Sequence, residues 1–232
     1  MTTARYAIYF TPTQGTPWWN FGAHWLGRDE GTNQALVHPE IAEIPAQQLH
    51  QLTAYPRRYG FHATLKAPFV LRDGVTEADL LVRMRALAQQ LKPLALGPMV
   101  ATRLDNFTAV LPHTPPAALG TLAARCVTSL DDLRAPLSQQ DLKRRLAQPL
   151  DARAQELLML YGYPHVMERY QLHFTLTGPI AEPLAQVVVR AVEGSVARLN
   201  QEHPLVLDRL CLFVEPEPGA NFVRQADAEL LA

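Results

Sequence analysis

Apolar residues recur along the chain with two different periods, one typical of strands and one typical of helices. Runs rich in β-branched and aromatic residues predict strands at 4–10, 106–112 and 204–216. Apolar residues at helical spacing predict helices at 77–92, 116–133 and 182–199. The 19 prolines are spread out, which indicates many short elements, and we expect the strand at 204–216 to close the ordered part.

Two further segments carry less regular patterns. The segment 16–29 (TPWWNFGAHWLGRD) is rich in tryptophan and glycine, and we expect a loop there. The segment 129–165 is predicted to be helical, with Ser138 as the N-cap of a basic helix. We expect Arg144 and Arg145 to lie on the solvated face of that helix.

One stretch of the chain is repeated. Residues 58–69 (RYGFHATLKAPF) align without gaps on residues 169–180 (RYQLHFTLTGPI), and Arg, Tyr, His, Thr, Leu and Pro recur in register. Each copy is followed by an amphipathic helix and then by strand-like sequence. Such a duplication predicts two related lobes about a pseudo-twofold axis.

The alternation within each copy separates two faces of a strand. His62 and Thr64 fall on one face of the first copy, and His173 and Thr175 fall on the matching face of the second. A histidine and a threonine two residues apart lie about 6.6 Å from each other, close enough to contact one small anion. By the same alternation Tyr59 and Tyr170 point to the core.

A duplicated strand with no function is the alternative. A single His-x-Thr is expected by chance in a chain with eight histidines. Two copies with matched flanks and matched amphipathic phase are much harder to obtain by chance. Strand packing does not require histidine at these positions, so the repeat favours a functional site.

Two histidines are suited to acid–base chemistry near neutral pH, because an unperturbed imidazole titrates at about 6.5. Phosphodiester cleavage needs one group to deprotonate the attacking hydroxyl or water and another to protonate the leaving oxygen. Threonine hydroxyls can donate to the non-bridging phosphate oxygens. The two motifs contain no aspartate or glutamate, so we expect neither a metal nor a cofactor.

The composition narrows the possible partners. The 232 residues include 21 basic and 22 acidic side chains, and this balance argues against binding of long nucleic acid. Cys126 and Cys211 match neither a disulfide framework nor a zinc spacing, which favours buried thiols in a reducing compartment. No secretory signal or membrane-spanning run is evident, so we expect a soluble, cytoplasmic protein with no membrane partner.

The two signatures HATL (62–65) and HFTL (173–176) resemble the paired motifs of the 2H phosphoesterase superfamily. Over nearly the whole chain, the sequence is also similar to the branch of that superfamily associated with bacterial phosphonate-utilisation operons. The segments that carry this second similarity are RYAIYF, WLGRD, PRRYGFHATLKAPF, LRAPLS and GYPHVMERYQLHFTLTGPI.

The resemblance implies an α+β fold in which a single bilobal domain, 1–232, has antiparallel sheets lining a central cleft and helices outside. The first motif would lie in a lobe formed mainly by 30–115 and the second in a lobe formed mainly by 166–215. The remaining length would be a helical insertion at about 129–165, forming a lid or a partner surface.

The resemblance also implies site residues. Carried over position by position, His62 and His173 are the acid–base pair, and Thr64 and Thr175 position the phosphate.

Five other residues are weaker candidates for substrate binding, and they are Arg58, Lys66, Arg169, Trp25 and Arg28. The alternatives are that the cations are solvated and that the tryptophan-rich segment packs the lobe interface.

We therefore expect metal-independent opening or hydrolysis of a small cyclic phosphodiester, such as a phosphorylated sugar or nucleotide, in phosphonate catabolism. One alternative is an RNA-end enzyme that acts on 2′,3′-cyclic phosphates or 2′,5′ linkages. Another is a non-catalytic phosphometabolite-binding component of a complex with phosphonate-pathway proteins. A metal hydrolase is a third.

Overall fold

Nine strands and eight helices are found in the part of the chain that the computed structural model describes, residues 4–147 and 149–231. The strands are β1 (Arg5–Phe10), β2 (Ala63–Phe69), β3 (Leu94–Ala95), β4 (Met99–Leu104), β5 (Phe107–Pro112), β6 (Phe174–Thr175), β7 (Val206–Leu207), β8 (Arg209–Glu215) and β9 (Val223–Glu229). The helices are α1 (Pro17–Leu26), α2 (Ala46–Leu52), α3 (Ala54–Arg57), α4 (Glu77–Ala88), α5 (Leu119–Thr128), α6 (Gln139–Leu146), α7 (Ala152–Tyr161) and α8 (Glu182–Glu202). Short 3-10 turns lie at Asp131–Leu133 and Met167–Arg169.

Seven strands form one sheet in the order β4-β5-β6-β2-β1-β8-β9, and β3 pairs with β7 separately. Every pairing within the large sheet is antiparallel. The α+β class and the antiparallel sheet expected from the sequence are therefore confirmed. The two repeated motifs enter this sheet as neighbours, because β2 and β6 lie side by side near its centre.

Helices cover the apolar face of the sheet. Helix α8 packs against β4 and β5, and α4 packs against β8 and β9. Alternate residues of the central strands are almost completely buried in the core, among them Phe10, Ala63, Leu65, Phe174 and Leu176. Burial of this apolar surface supplies most of the stabilisation, at about 25 cal/mol per Å². No helix among residues 4–147 and 149–231 has both the length and the apolar character needed to cross a bilayer.

The predicted segments at 4–10, 77–92, 106–112 and 182–199 appear as β1, α4, β5 and α8, with boundaries shifted by a few residues. Two expectations were wrong. The segment 16–29 is mainly the helix α1, which starts at Pro17 and ends at Gly27 in a left-handed conformation. The ordered part continues past 216 into β9, an edge strand whose half-buried, charged sequence lacks a clear apolar alternation.

The segment 129–165 is largely helical, as predicted, and it lies against the end of β2. The Ala135 amide donates to the Val70 carbonyl, and the Arg72 amide donates to the Leu133 carbonyl. Ser138 caps α6 by accepting from the Asp141 amide. Both motif strands belong to the same sheet, and the division into two lobes with an insertion stays a prediction.

Replacement of Gly22 by alanine is expected to destabilise the fold by about 1–3 kcal/mol, because overpacking a tight core is costly. A Cβ on Gly22, within α1, would lie 1.9 Å from Cγ of Phe61, whose ring stacks on Phe174. Chemical denaturation would measure the change. The matched control is Gly194→Ala in α8, where a Cβ meets no atom within 4 Å and alanine should stabilise by up to about 1 kcal/mol. Equal effects of the two substitutions would contradict the packing explanation.

Candidate active site

Backbone pairing between β2 and β6 brings the two motifs together. Ala63 lies opposite Phe174 in an antiparallel register. Both of these residues are fully buried, so the residues on either side of each point to the other face of the sheet. Each motif histidine then stands across from the threonine of the other motif, in the pairs His62–Thr175 and Thr64–His173. The four side chains share one face about a local twofold axis.

The two imidazoles are held in the same way. Nδ1 of His62 lies 2.9 Å from the carbonyl oxygen of Gly60, and Nδ1 of His173 lies 2.9 Å from that of Gln171. A carbonyl only accepts, so each Nδ1 carries the proton and each Nε2 keeps its lone pair. The Thr64 hydroxyl lies 3.3 Å from Nε2 of His62 and donates to it. Both histidines therefore present a basic nitrogen.

Aromatic side chains surround the first histidine. The ring of Tyr9 stacks on His62 with centroids 3.8 Å apart, and the ring of Tyr59 lies 6.1 Å away. Tyr59 in turn stacks on Phe222. Tyr59 packs against a second, smaller core cluster that contains Tyr9 and Phe222, so it is a core residue as predicted, although not of the main core. The left-handed conformation of Gly60 (φ 78°) breaks the strand alternation before His62.

Arg58 and Lys66 line a cavity of about 650 Å³ next to the motif strands. Each cation already has a carboxylate partner. Arg58 pairs with the buried Glu215. Lys66 is 3% exposed and donates to Asp131 at 2.9 Å. Both residues therefore help to shape the cavity, and their charges are partly compensated.

Arg28 and Trp25 are not placed to contact a substrate. The Arg28 guanidinium is buried and donates to the backbone carbonyls of Arg57, Arg58 and Phe222. Burial lowers the pKa of Arg28 to about 10. Trp25 is 2% exposed and donates to the Leu176 carbonyl. Arg28 braces the loop that leads into the first motif, and Trp25 packs the core behind the second.

Arg169 lies in the 3-10 turn before the second motif. Its side chain is 38% exposed and pairs with Asp151 at 2.7 Å. It is absent from the lining of the cavity. The symmetry of the sequence repeat therefore does not extend to the two motif arginines, because Arg58 lines the cavity and Arg169 does not.

The cavity is more basic than the sequence repeat suggested. Its cationic lining residues are Arg5, Arg58, Lys66, Arg134, Arg144 and Arg145. The local sequence gave no indication of Arg5 or Arg134, and it predicted Arg145 on a solvated face. Arg145 is instead half-buried, with its guanidinium carbon 5.7 Å from the Tyr163 ring centroid. No local pattern signals this, because the cavity is formed by segments distant in sequence.

Comparison with known proteins gives a family. The model of the family described as "Protein of unknown function (DUF1045)" matches residues 64–223, which include Thr64 but not His62 of the first motif and all of the second motif. The chain belongs to this family. The DUF1045 match covers β2 from Thr64 onward, β6 and the helical segment between them, and His62 lies two residues before its start.

Two curated relatives extend the comparison beyond the DUF1045 region. Ribose 1,5-bisphosphate phosphokinase PhnN of Janthinobacterium sp. (strain Marseille) is 41% identical over 222 residues, covering 94% of this chain and 49% of that protein. The protein of the same name from Laribacter hongkongensis (strain HLHK9) is 36% identical over 219 residues, covering 94% of this chain and 50% of that protein. The chain thus spans about half the length of these relatives.

Burial keeps both imidazoles of this DUF1045 member neutral in the unliganded protein. Burial is the main cause that lowers the pKa of His62 to about 4; the hydrogen bond to the Gly60 carbonyl opposes this shift, and the proximity of His173 and Arg28 adds to it. Burial also lowers the pKa of His173. Among the described residues, no group of three or more His, Cys, Asp or Glu side chains is placed to hold a metal ion.

Acid is therefore expected to destabilise the protein through His62. Its pKa is lower in the folded state than in the unfolded chain, so the unfolded chain binds more protons between pH 6.5 and about 4. The free energy of unfolding should fall as the pH drops through this window. Denaturation of wild type and His62→Gln at pH 7 and pH 5 would show a smaller fall in the variant. A similar reduction in the exposed-loop control His113→Gln would contradict this assignment.

Proposed function

We propose that this protein is a phosphodiesterase of the 2H type that opens a small cyclic phosphodiester by acid–base catalysis with His62 and His173. The observation that carries the proposal is the Ala63–Phe174 pairing, which sets the two His-x-Thr motifs antiparallel on one face. The matched Nδ1 hydrogen bonds support it, because they leave two Nε2 atoms for proton transfer.

The spacing of the two histidines suits a phosphodiester between them. They are diagonal neighbours on adjacent strands, and such positions lie about 7–8 Å apart. One neutral Nε2 takes the proton from the attacking water, and the other imidazole, protonated, gives its proton to the leaving oxygen. The Thr175 hydroxyl donates to a non-bridging oxygen, where negative charge increases in the transition state. The Thr64 hydroxyl does the same when substrate displaces its hydrogen bond to Nε2 of His62, which also frees that nitrogen to act as the base.

The environments of the two histidines favour different roles. His62 is packed against Tyr9 and has its pKa lowered to about 4, so it stays neutral and serves as the base. The pKa of His173 is also lowered, with burial as the main cause. A bound phosphate anion favours the charged form of a neighbouring imidazole. His173 is therefore proposed as the acid, protonated when substrate is bound.

The curated relatives support a phosphorylated sugar as the substrate class. Their printed names specify a kinase acting on ribose 1,5-bisphosphate, and this chain covers about half of each. Together with the resemblance to the phosphonate-associated branch, this supports a role in phosphonate catabolism alongside other proteins of the pathway. A ribose 1,2-cyclic phosphate is the proposed type of substrate.

A kinase is the second candidate, favoured by the names of these relatives. A phosphate-binding loop of the form G-x-x-x-x-G-K-[ST] would support it. The sequence contains no such loop, since none of its lysines (Lys66, Lys92 and Lys143) follows a glycine. The His-x-Thr pair therefore gives the phosphodiesterase the stronger support.

Phosphorus NMR would test the reaction. The protein is incubated in chelator with 2′,3′-cyclic nucleotides and ribose 1,2-cyclic phosphate, and separately with Mg-ATP and ribose 1,5-bisphosphate. We expect ring opening in the first set, reduced about 10²- to 10⁴-fold in His62→Ala and His173→Ala. The control His113→Ala, an exposed imidazole outside the site, should turn over like wild type. Phosphoryl transfer from ATP without ring opening would instead establish the kinase.

The plot of kcat/KM against pH should be bell-shaped, with its maximum at acid pH. In the free enzyme the base must be neutral and the acid protonated, so the rising limb is expected near pH 4 from His62 and the falling limb below pH 6.5 from His173. The falling limb of kcat should lie at higher pH, because bound phosphate raises the pKa of His173. A falling limb of kcat/KM well above pH 7 would exclude this division of roles.

A further inference from the structure

The turn that leads into the first motif is held by the side chain of Arg28, which is 3% exposed. Its Nε donates to the Arg57 carbonyl at 2.7 Å. Its Nη2 donates to the Arg58 carbonyl at 3.1 Å and to the Phe222 carbonyl at 2.9 Å. Because a guanidinium is planar and presents its donors in a rigid fork, it fixes two successive carbonyls of the turn at once.

The same turn is held by two further contacts. The Phe222 amide donates to the Arg58 carbonyl at 2.8 Å. Gly60 lies so close to Glu30 that a Cβ on the glycine would be 2.6 Å from Cβ of Glu30. Glu30 is itself fixed, since it is completely buried and accepts from the Trp19 indole at 2.6 Å. These contacts leave the Gly60 carbonyl little freedom to move.

The Gly60 carbonyl determines which nitrogen of His62 carries the proton. It accepts from Nδ1 at 2.9 Å. In a neutral imidazole, the hydrogen bond made by one ring nitrogen sets the tautomer and leaves the other nitrogen as an acceptor. A displacement of the carbonyl by about 1 Å would lengthen the bond beyond the usual limit for N–H···O, and the preference would be lost. The tautomer of His62 therefore depends on the position of this turn.

The turn before His173 is not held in this way. The Gln171 carbonyl accepts from Nδ1 of His173 at 2.9 Å, as in the first motif. Within residues 4–147 and 149–231, however, no side chain donates to the carbonyl of Glu168 or Arg169, the equivalents of the two that Arg28 holds. The duplication therefore kept the carbonyl that contacts each histidine, but only the first copy has a buried side chain behind it.

We infer that Arg28 is a positioning residue: by holding the turn 57–60, it fixes the Nδ1–H tautomer of His62 and keeps Nε2 of that histidine as a proton acceptor. The consequence for turnover rests on the proposed function, whereas the tautomer does not. His62 is then suited to act as the base, because its lone pair always points to the site face. His173, on the turn without such support, is free to reorient as it releases and regains a proton.

Nitrogen-15 NMR of the histidine rings in the wild-type protein tests the asymmetry without any turnover. Spectra at pH 7 are assigned by the signals that disappear in His62→Gln and in His173→Gln. We expect the Nδ1–H tautomer of His62 to exceed the Nε2–H tautomer about tenfold, as a well-placed hydrogen bond allows, and the ratio to be smaller in His173. Equal ratios in the two histidines would overturn the inference.

Substitution of Arg28 tests the cause. In Arg28→Met the tautomer ratio of His62 should fall towards one, and that of His173 should not change. The matched control is Arg125→Met, which also removes an arginine that donates to a backbone carbonyl, that of Gln90, but on α5. This control should leave both ratios unchanged.

A second variant separates positioning from charge. Arg28→Lys keeps the charge but cannot donate to the carbonyls of Arg57 and Phe222 at once, so it should behave like Arg28→Met. A wild-type ratio in Arg28→Lys would show that charge alone is sufficient and would exclude positioning. Circular dichroism checks that each variant is folded. Arg28→Lys gives the result if Arg28→Met does not fold, and the wild-type comparison needs neither.

Turnover of the cyclic phosphates shows whether the fixed tautomer is used. Arg28→Met should lower kcat about tenfold and leave KM within about twofold, because Arg28 acts through His62 and does not touch the substrate. The control Val192→Ala removes buried methyl groups from α8 on the helix side of the sheet, and it should lower stability but not kcat.

Three results would count against or divide the two proposals. A similar loss of kcat in Val192→Ala, or a rise in KM alone in Arg28→Met, would contradict the positioning role. A tautomer that depends on Arg28 in a protein that opens no ring would support the role of Arg28 and contradict the phosphodiesterase. The two failures are therefore distinguishable.

Discussion

The pairing of Ala63 with Phe174 is the interaction on which the site depends. It joins two segments 111 residues apart in sequence, and the buried stacking of Phe61 on Phe174, with ring centroids 4.7 Å apart, fixes its register from the core side. A slip of β6 by one residue would turn His173 into the core and Phe174 to the site face. The close contact of Gly22 with Phe61 adds to this constraint, because no other residue leaves room for the ring.

Two different environments flank β2. On one side, Tyr9 and Tyr59 pack around His62 and keep the imidazole neutral by excluding water. On the other side, the helical segment 129–165 lies against the end of β2, and its Arg134 and Arg145 line the basic cavity. In the proposed reaction, a phosphate bound between the histidines favours the charged form of His173. Substrate binding and activation of the acid are thus proposed to be linked by the same charge.

Several helices could be predicted from the local sequence, because short-range interactions at their N-termini determine where they begin. Helix α4 begins at Thr76, whose side chain forms a capping box with Asp79, and α6 begins at Ser138. Helix α1 was predicted as a loop, because a glycine-rich sequence taken alone favours a loop. The tryptophans and the glycine of this helix are buried in the core, and that packing stabilises the helix. Strand β9 was missed because an edge strand with one solvated side carries little apolar alternation.

By itself, the sequence determined the four motif residues and their common face, because a repeated His-x-Thr in an alternating pattern puts both side chains on one side of a strand. It also determined the α+β class. Only the tertiary structure decided that the two motifs are adjacent strands of one sheet, that Tyr59 turns towards His62, and that Arg145 faces a cavity while Trp25 and Arg28 do not. The physical reason is that these arrangements depend on strand pairing, on a left-handed glycine and on helix packing between residues distant in sequence. Local propensity and residue spacing carry no information about such contacts.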